Sequence, residues 1–365
     1  MGGIKVRIAI DARTKLHCGI GTYTTKLIDM IPQIDSTTKI FPINDNISFS
    51  GERFISKCIG GVKRLIYDQI NMNMWLKQND IDILHNPRNI GLPFWCNCKA
   101  VVTIHDIIPH VYSDRYLRSK IEKYYYLLMV NSSISRSEKI ITDSFFSKNE
   151  LIKYFNIDEK KISVIYLGCS NEFIKLKNEV AAKEMLKKMG VKRKYILTIG
   201  GSEYRKNVRR LIDVYKEKFS EQYDLVVIGG KWHEIDLESE TKNVPHIYFV
   251  GAPSQEDLVN LYSLAKLFVF PSLYEGFGLP VLEAMSCGVP VVTSNTSSIP
   301  EVAGDAALLF NPYDMQQMYQ EIKKGLEDGG LRQDLICRGY DRVKKFSWEK
   351  TANETLDVYH QAFRL

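Results

Sequence analysis

No run of about 18 apolar residues occurs anywhere in the 365-residue chain, so a membrane-spanning helix is not expected. Met1–Arg7 carries no long apolar stretch either, so a secretory signal peptide is not expected. Cysteine is sparse and scattered, seven in all. Cys96 and Cys98 are close, but no second Cys or His pair stands at zinc-like spacing. That argues against a metal clip and for reduced thiols in a cytoplasmic setting. There is no dense Lys/Arg cluster and no recognisable nucleic-acid module, so nucleic acid is not an expected partner. Acidic residues form no evident metal-ligand set; Asp45, Asp80 and Asp82 read as surface acids.

What is present is an ordinary globular composition, 45% hydrophobic and 25% charged, at a length suited to about two domains. The net charge of +6 is unevenly spread. Residues 1–172 hold 23 Lys and Arg against 17 Asp and Glu, while the remainder balances at 26 each. A basic N-terminal half suits an anionic partner, such as a lipid surface or a pyrophosphate-linked molecule.

Short apolar runs recur along the chain at 6–10, 81–84, 100–104, 139–142, 162–165, 195–199, 224–228, 247–250, 267–270 and 289–293. Helical patterns separate several of them, among them 119–130, 255–264, 314–327, 331–345 and 348–362. Strands alternating with helices predict an α/β protein with parallel, doubly wound sheets. A second alternating unit starts near Tyr195, and the linker is expected at about 168–180. The segment Tyr116–Leu128 mixes Arg118, Lys120 and Lys123 with Tyr124, Tyr125 and Tyr126, a composition suited to a membrane surface as well as to packing on its own domain.

The most informative stretch is Phe270–Gly288, which reads as strand, glycine loop and short helix. Gly276 and Gly278 permit backbone shapes closed to other residues. Pro280 suits the first turn of the helix and Gly288 the position past its end. Such a loop, opening onto a helix N-terminus, presents free N–H groups and a favourable dipole to a phosphate. Glu275 and Glu283 bracket it with seven residues between them. Ionised carboxylates beside a phosphate site point to sugar or ribose hydroxyls. A second candidate follows the strand at 195–199. After Gly200-Gly201, Arg205-Lys206-Asn207 places two cations at a loop–helix junction, where they suit a diphosphate. His105 ends the strand at 100–104 beside Asp106, at the strand end where open α/β sheets meet ligands. Gly19 and Gly21 lie between the first strand and a helical pattern. Asp143-Ser144 reads as a helix cap.

Glu275-Gly276-Phe277-Gly278-Leu279-Pro280, with Glu283 following, resembles the signature of the retaining glycosyltransferases of family four, the glycosyl transferases group 1. The resemblance runs along essentially the whole chain, with its specific residues at 200–207 and 270–303. It implies two facing Rossmann-like domains with a deep cleft between them (GT-B architecture): residues 1–172 for the acceptor, 173–346 for a nucleotide sugar, and a helix at 347–365 returning to the first domain. It also implies site roles. Lys206, with Arg205, meets the donor diphosphate, helped by Gly200 and the amides of Gly276, Phe277, Gly278 and Leu279. Glu283 takes the ribose, Glu275 the transferred sugar, and main chain near Val250 flanks the base. His105 faces the sugar and the acceptor, with Gly19 and Gly21 near both. Lys206, Arg205, Glu275 and His105 are thus the expected catalytic set. The reaction implied is a front-face transfer that retains configuration and needs no metal or other cofactor. The run 298–307 resembles mannosyl- and rhamnosyl-type members that build bacterial surface polysaccharides. GDP-mannose is therefore the favoured donor, with an oligosaccharide or polyprenyl-pyrophosphate-linked acceptor at the inner face of a membrane. A nucleotide-sugar epimerase and a non-catalytic subunit of a polysaccharide-assembly complex stay open as readings.

Overall fold

In a computed structural model of the chain, the described residues are 6–13, 19–44, 67–169, 176, 178–232 and 235–364. The expectations placed on Cys18, Asp45, Phe173 and residues 170–175 and 177 of the linker lie outside them. The chain divides into two compact units, Met1–Gly168 with Trp348–Leu365, and Cys169–Ser347.

The first unit is built on six parallel strands: β1 (Arg7–Asp11), β2 (Lys39–Ile43), β3 (Ile83–Asn86), β4 (Lys99–Thr103), β5 (Lys139–Thr142) and β6 (Ile162–Val164), in the order β2-β1-β3-β4-β5-β6. Strands covered by helices on both faces need apolar side chains on both, and β3 is buried along its whole length while β4 is buried at all but Lys99. Ile8 pairs with Ile83 and Val101 with Lys139, a register that brings the carboxyl ends of β3, β4 and β5 to one edge of the sheet. The helix Trp348–Arg364 belongs to this unit. Its Tyr359 hydroxyl bonds His85 Nδ1 at 2.6 Å, and Thr351 Oγ1 donates to the Tyr166 carbonyl at 2.7 Å.

The second unit repeats the plan: β7 (Tyr195–Ile199), β8 (Asp224–Ile228), β9 (Ile247–Val250), β10 (Leu267–Phe270), β11 (Val291–Ser294) and β12 (Ala307–Phe310), all parallel, in the order β12-β11-β10-β7-β8-β9. The chain winds outward from β7 through β8 and β9, then returns to the other side of β7 with β10. The reversal between β7 and β10 leaves a crevice at their carboxyl ends, the place where doubly wound sheets take ligands.

Two strands escaped the sequence pattern. β2 contains Pro42, which lacks an N–H and argues against a strand in general. The strand lies at the sheet edge, where that lack is tolerated. β12, at an edge of the second sheet, is only partly buried over Ala307–Leu309, yet Ala306–Phe310 is an unbroken apolar run that the reading of apolar runs did not include. The helix predicted at 331–345 runs from Gly329 to Val343, because Asp328 caps it by accepting from Leu331 N and so draws two glycines into the first turn.

Candidate active site

The loop after β10 is buried rather than draped over the surface; Glu275 is 7% exposed and Phe277 4%. It leads into the helix Leu279–Ser286, with Gly278 as N-cap at φ 114° and Pro280 in the first turn. Only Gly278 of the two loop glycines has positive φ, so the conformational argument made for both applies to Gly278 alone. Two serines after β11 hold the loop. Ser298 Oγ reaches the Glu275 carbonyl at 2.9 Å and the Phe277 carbonyl at 2.7 Å, and the Glu275 N–H donates to Ser297 Oγ at 3.0 Å. Neither serine was singled out from the sequence, although Ser298 opens the run 298–307, and nothing in their spacing signals the contact.

The loop after β7 is stitched to the same place. Leu273 N donates to the Arg205 carbonyl at 2.7 Å, and Asn207 Nδ2 donates to the carbonyls of Pro271 and Pro312 at 3.1 and 3.0 Å. Arg205 and Lys206 sit on the 3-10 turn Tyr204–Lys206, ahead of the helix Val208–Lys218, so their charge does not sit inside its first turn. Gly200 has φ 146°, and a Cβ there would lie 2.3 Å from the Cβ of Lys206; the missing side chain is the space through which the lysine stem passes.

These two loops bring Lys206, Arg205 and Glu275 together. Lys206 Nζ lies 2.7 Å from Glu275 Oε1 and Arg205 Nη1 2.5 Å from Oε2. Arg205 also pairs with Glu203 at 2.8 Å and donates to the Tyr274 carbonyl at 3.2 Å, and Lys206 Nζ lies 4.8 Å from the centre of the Phe270 ring. Burial alone would raise the Glu275 pKa, but the two cations outweigh it and bring it down to about 2. Burial lowers the Lys206 pKa against the pull of Glu275. The cations expected to stand ready for a diphosphate are thus engaged by the carboxylate expected to hold a sugar. Each carboxylate oxygen keeps a second lone pair for a hydroxyl.

Glu283 lies one helix turn past the loop. Its Oε2 accepts from Tyr262 Oη at 2.9 Å, and burial pushes its pKa up to about 7. Tyr262, on the helix Gln255–Ser263, was not singled out from the sequence. Val250 is not part of this cluster. It ends the edge strand β9, with β8 between it and β7, and its carbonyl accepts from Gly229 N at 3.1 Å.

In the first unit, His105 stands two residues past the end of β4. Its carboxylate partner is Asp143, past the end of β5, at 2.6 Å from Nδ1. Neighbouring Asp106 turns its Oδ1 back to accept from Ile108 N at 3.0 Å. Asp143 is not the cap of the following helix; Ser144 is, accepting from Ser147 N at 3.0 Å, which leaves Asp143 for the histidine. Gly19 and Gly21 lie in the first turn of the helix Gly19–Ile34, not in a loop, and a Cβ on Gly19 would meet nothing within 4 Å. Among the described residues, no group of three His, Cys, Asp or Glu is placed to hold a metal ion.

Comparison with known proteins decides what this arrangement belongs to. The family model "Glycosyl transferases group 1" matches residues 182–342, and "Glycosyltransferase Family 4" matches residues 52–173. The O-antigen chain mannosyltransferase B of Escherichia coli is 35% identical across 78% of this chain and 76% of its own. The chain belongs to the glycosyl transferases group 1. The O-antigen chain mannosyltransferase RfbU of Salmonella typhimurium is 31% identical across 69% of this chain and 66% of its own. The serotype-specific mannosyltransferase WbdA of Escherichia coli is 33% identical across 72% of this chain, which spans only 33% of that longer protein. Among solved structures, sucrose-phosphate synthase from Thermosynechococcus elongatus superposes with TM-score 0.78 at 19% identity, covering 99% of this chain and 100% of its own. WaaG, a glycosyltransferase involved in lipopolysaccharide biosynthesis, superposes with TM-score 0.74 at 15% identity, covering 97% and 99%. The glycosyltransferase therefore has the GT-B type of fold, two α/β units each on a parallel six-stranded sheet. As a family member it is a hexosyl-transferring enzyme, which sets aside the epimerase and non-catalytic readings.

Proposed function

We propose that this glycosyltransferase moves mannose from GDP-mannose onto a lipid-linked saccharide at the cytoplasmic face of a membrane. In this reading the anomeric configuration is retained and no divalent cation takes part. The observation that carries the proposal is the clamp of Glu275 between Arg205 and Lys206, beside the N-terminus of the helix Leu279–Ser286. The donor diphosphate lies against the amides of that N-terminus and draws on the two cations, which balance charge as the leaving group departs. Glu275 then accepts from hydroxyls of the transferred sugar and Glu283 from those of the ribose. Backbone near Val250 flanks the base. In the first unit, His105 meets the transferred sugar and the acceptor, with Gly19 and Gly21 close by. The bond from the anomeric carbon to the diphosphate oxygen breaks, the bond to the acceptor oxygen forms on the same face, and the acceptor's proton passes to the leaving phosphate. A carboxylate held near pKa 2 by two cations is a poor nucleophile, which favours this direct route over a covalent intermediate.

Mannose is favoured because relatives that cover most of this chain are named mannosyltransferases of O-antigen chains. A lipid-linked acceptor is favoured by an apolar stripe on the helix Lys120–Arg136. Ile121, Tyr124, Tyr125 and Leu128 follow helical spacing, yet are 81%, 70%, 48% and 43% exposed. No helix of the described residues is long and apolar enough to cross a membrane, so contact through such a stripe is the form proposed.

The test is transfer assayed with GDP-mannose, UDP-hexoses and dTDP-rhamnose, with and without EDTA, for the wild-type protein, Lys206→Ala and Glu275→Gln. The expected result is transfer from GDP-mannose, unchanged by EDTA. Each variant should fall by roughly 10²–10³-fold, with the circular-dichroism spectrum retained. Near-normal turnover in both variants overturns the site, and loss of activity in EDTA overturns the metal-free route.

A further inference from the structure

His105 and Asp143 are 38 residues apart in sequence and are brought together only by the parallel pairing of β4 with β5. The backbone around the histidine is held on both sides. Ile104 N donates to the Ile141 carbonyl at 2.9 Å, Thr142 Oγ1 donates to the Ile104 carbonyl at 2.8 Å, and Ser147 Oγ donates to the His105 carbonyl at 3.2 Å. The ring is packed edge to face against Tyr23, with centroids 5.0 Å apart and planes at 87°. The His105 side chain is 12% exposed and that of Asp143 2%. With Nδ1 taken by Asp143, neither His105 Nε2 nor Asp143 Oδ1 makes a well-formed hydrogen bond, although the Pro87 carbonyl lies close enough to the ring to act on it. Buried polar atoms are nearly always satisfied, and an ion pair built only for stability has no reason to leave the second nitrogen of its imidazole without a well-formed bond.

We infer that Asp143 is a positioning residue for the transfer reaction. Its carboxylate accepts from His105 Nδ1–H and fixes the orientation of the ring, so that Nε2 is the atom left for a ligand at the carboxyl end of the first sheet. The inference rests on the reading that His105 meets the sugar or acceptor, and it assigns the chemistry used there. In the charged ring, which the Asp143 carboxylate favours, Nε2–H donates to a hydroxyl of the sugar or the acceptor and does not act as a base. Burial raises the Asp143 pKa while His105 pulls it down, so the carboxylate and the ring each favour the other's charged form. Burial by itself would depress the His105 pKa, but Asp143 outweighs it, with Asp106 and the Pro87 carbonyl adding in the same direction, and the pKa is raised. On the other side, His85 is buried between Tyr359 and Thr103 and its pKa is pushed down to about 3, so it brings no competing charge. Tyr23 stays a neutral phenol bonded to Thr103 at 3.0 Å, its pKa raised by burial.

The experiment is ¹⁵N NMR of the full-length protein labelled at histidine, with the His105 signals assigned by their loss in His105→Gln. Steady-state kinetics of Asp143→Asn run alongside it. The asparagine carbonyl still accepts from Nδ1–H, so the ring stays oriented while its charge is no longer supported. The wild type is expected to show His105 titrating above the ordinary imidazole range and, above that midpoint, keeping its proton on Nδ1. In Asp143→Asn the midpoint falls by about one unit or more, kcat drops roughly 10–100-fold with donor KM little changed, and the alkaline limb of the pH–rate profile moves to lower pH. A wild-type His105 that is neutral with its proton on Nε2 overturns the inference without any variant. So does an Asp143→Asn enzyme whose midpoint shifts while kcat stays within twofold. Absence of transfer from any nucleotide sugar by the wild type would instead count against the proposed function, and the NMR result would stand apart from it.

Discussion

At the scale of single residues, the site's strongest members were legible because they are close in sequence to backbone punctuation. Lys206 follows the glycines that end β7, Glu275 immediately precedes the first glycine of the loop after β10, and Glu283 follows a loop–helix boundary. Their partners were not legible. Asp143, Tyr262 and Ser298 reach His105, Glu283 and the Glu275 loop across 38, 21 and 23 positions, and only strand order brings them there. The Tyr262–Glu283 pair makes a prediction of its own. Burial raises the Glu283 pKa to about 7, so the carboxyl is neutral below that pH and ionised above it. Ribose hydroxyls donate to the ionised form. Nucleotide affinity should therefore rise with pH through about 7, roughly tenfold between pH 6 and pH 8 for a site that needs the carboxylate. The sign for stability is opposite: an acid whose folded pKa is raised stabilises the fold at low pH, and that contribution is lost as pH climbs through 7. Calorimetric titration of GDP across this range is the measurement. Glu283→Gln should lose the step that Glu283 adds to whatever the phosphates themselves contribute. An identical profile in the variant would remove Glu283 from the ribose.

At the scale of elements, the apolar runs marked ten of the twelve strands, because a strand buried on both faces must be apolar throughout. β2 escaped because Pro42 interrupts it at an edge that tolerates the missing N–H, whereas Ala306–Phe310 at β12 is as apolar as the runs that were marked and was not read as a strand. The turn after β7 shows how an element prepares chemistry it does not itself perform. Gly200 leaves β7 at φ 146°, and the space above its Cα holds the stem of Lys206. Gly200→Ala forces both a backbone shape that side chains disfavour and a clash that only movement of the lysine relieves. The backbone part alone should cost about 1–3 kcal/mol. The expected outcome is a lower melting temperature together with loss of transfer. Gly230→Ala is the control, since a Cβ there meets nothing within 4 Å and the residue has no positive φ. It should leave both quantities near wild type. Equal behaviour of the two variants would show that the Lys206 stem does not depend on that gap.

At the scale of the whole molecule, the doubling of the α/β plan could be read from alternation, and the return of the last helix to the first unit came from the family resemblance. What the pattern alone left undecided was the segment around Tyr124, whose mixed composition suited a packed helix and a membrane-facing one equally. In the structure the helix has one packed face and one exposed apolar face. Tyr126, Met129 and Val130 are buried against the first unit, while Ile121, Tyr124, Tyr125 and Leu128 face outward. Arg115, Arg118 and Lys120 are exposed just before or at its start, and Lys123 is tied to Asp114. Near an anionic leaflet each exposed basic residue adds about 1 kcal/mol, and the apolar stripe adds burial that salt does not screen. Sedimentation with vesicles of anionic phospholipid should therefore retain the wild-type protein, more weakly at high salt but still measurably. Ile121→Ser/Tyr124→Ser/Leu128→Ser should reduce retention at least about tenfold, which is the loss of only 1.4 kcal/mol of apolar burial. The same variant should transfer normally to a water-soluble acceptor, because none of the three side chains belongs to the Glu275 cluster or to the His105 pair. Undiminished vesicle binding by the triple variant would mean that some other surface carries the protein to its acceptor.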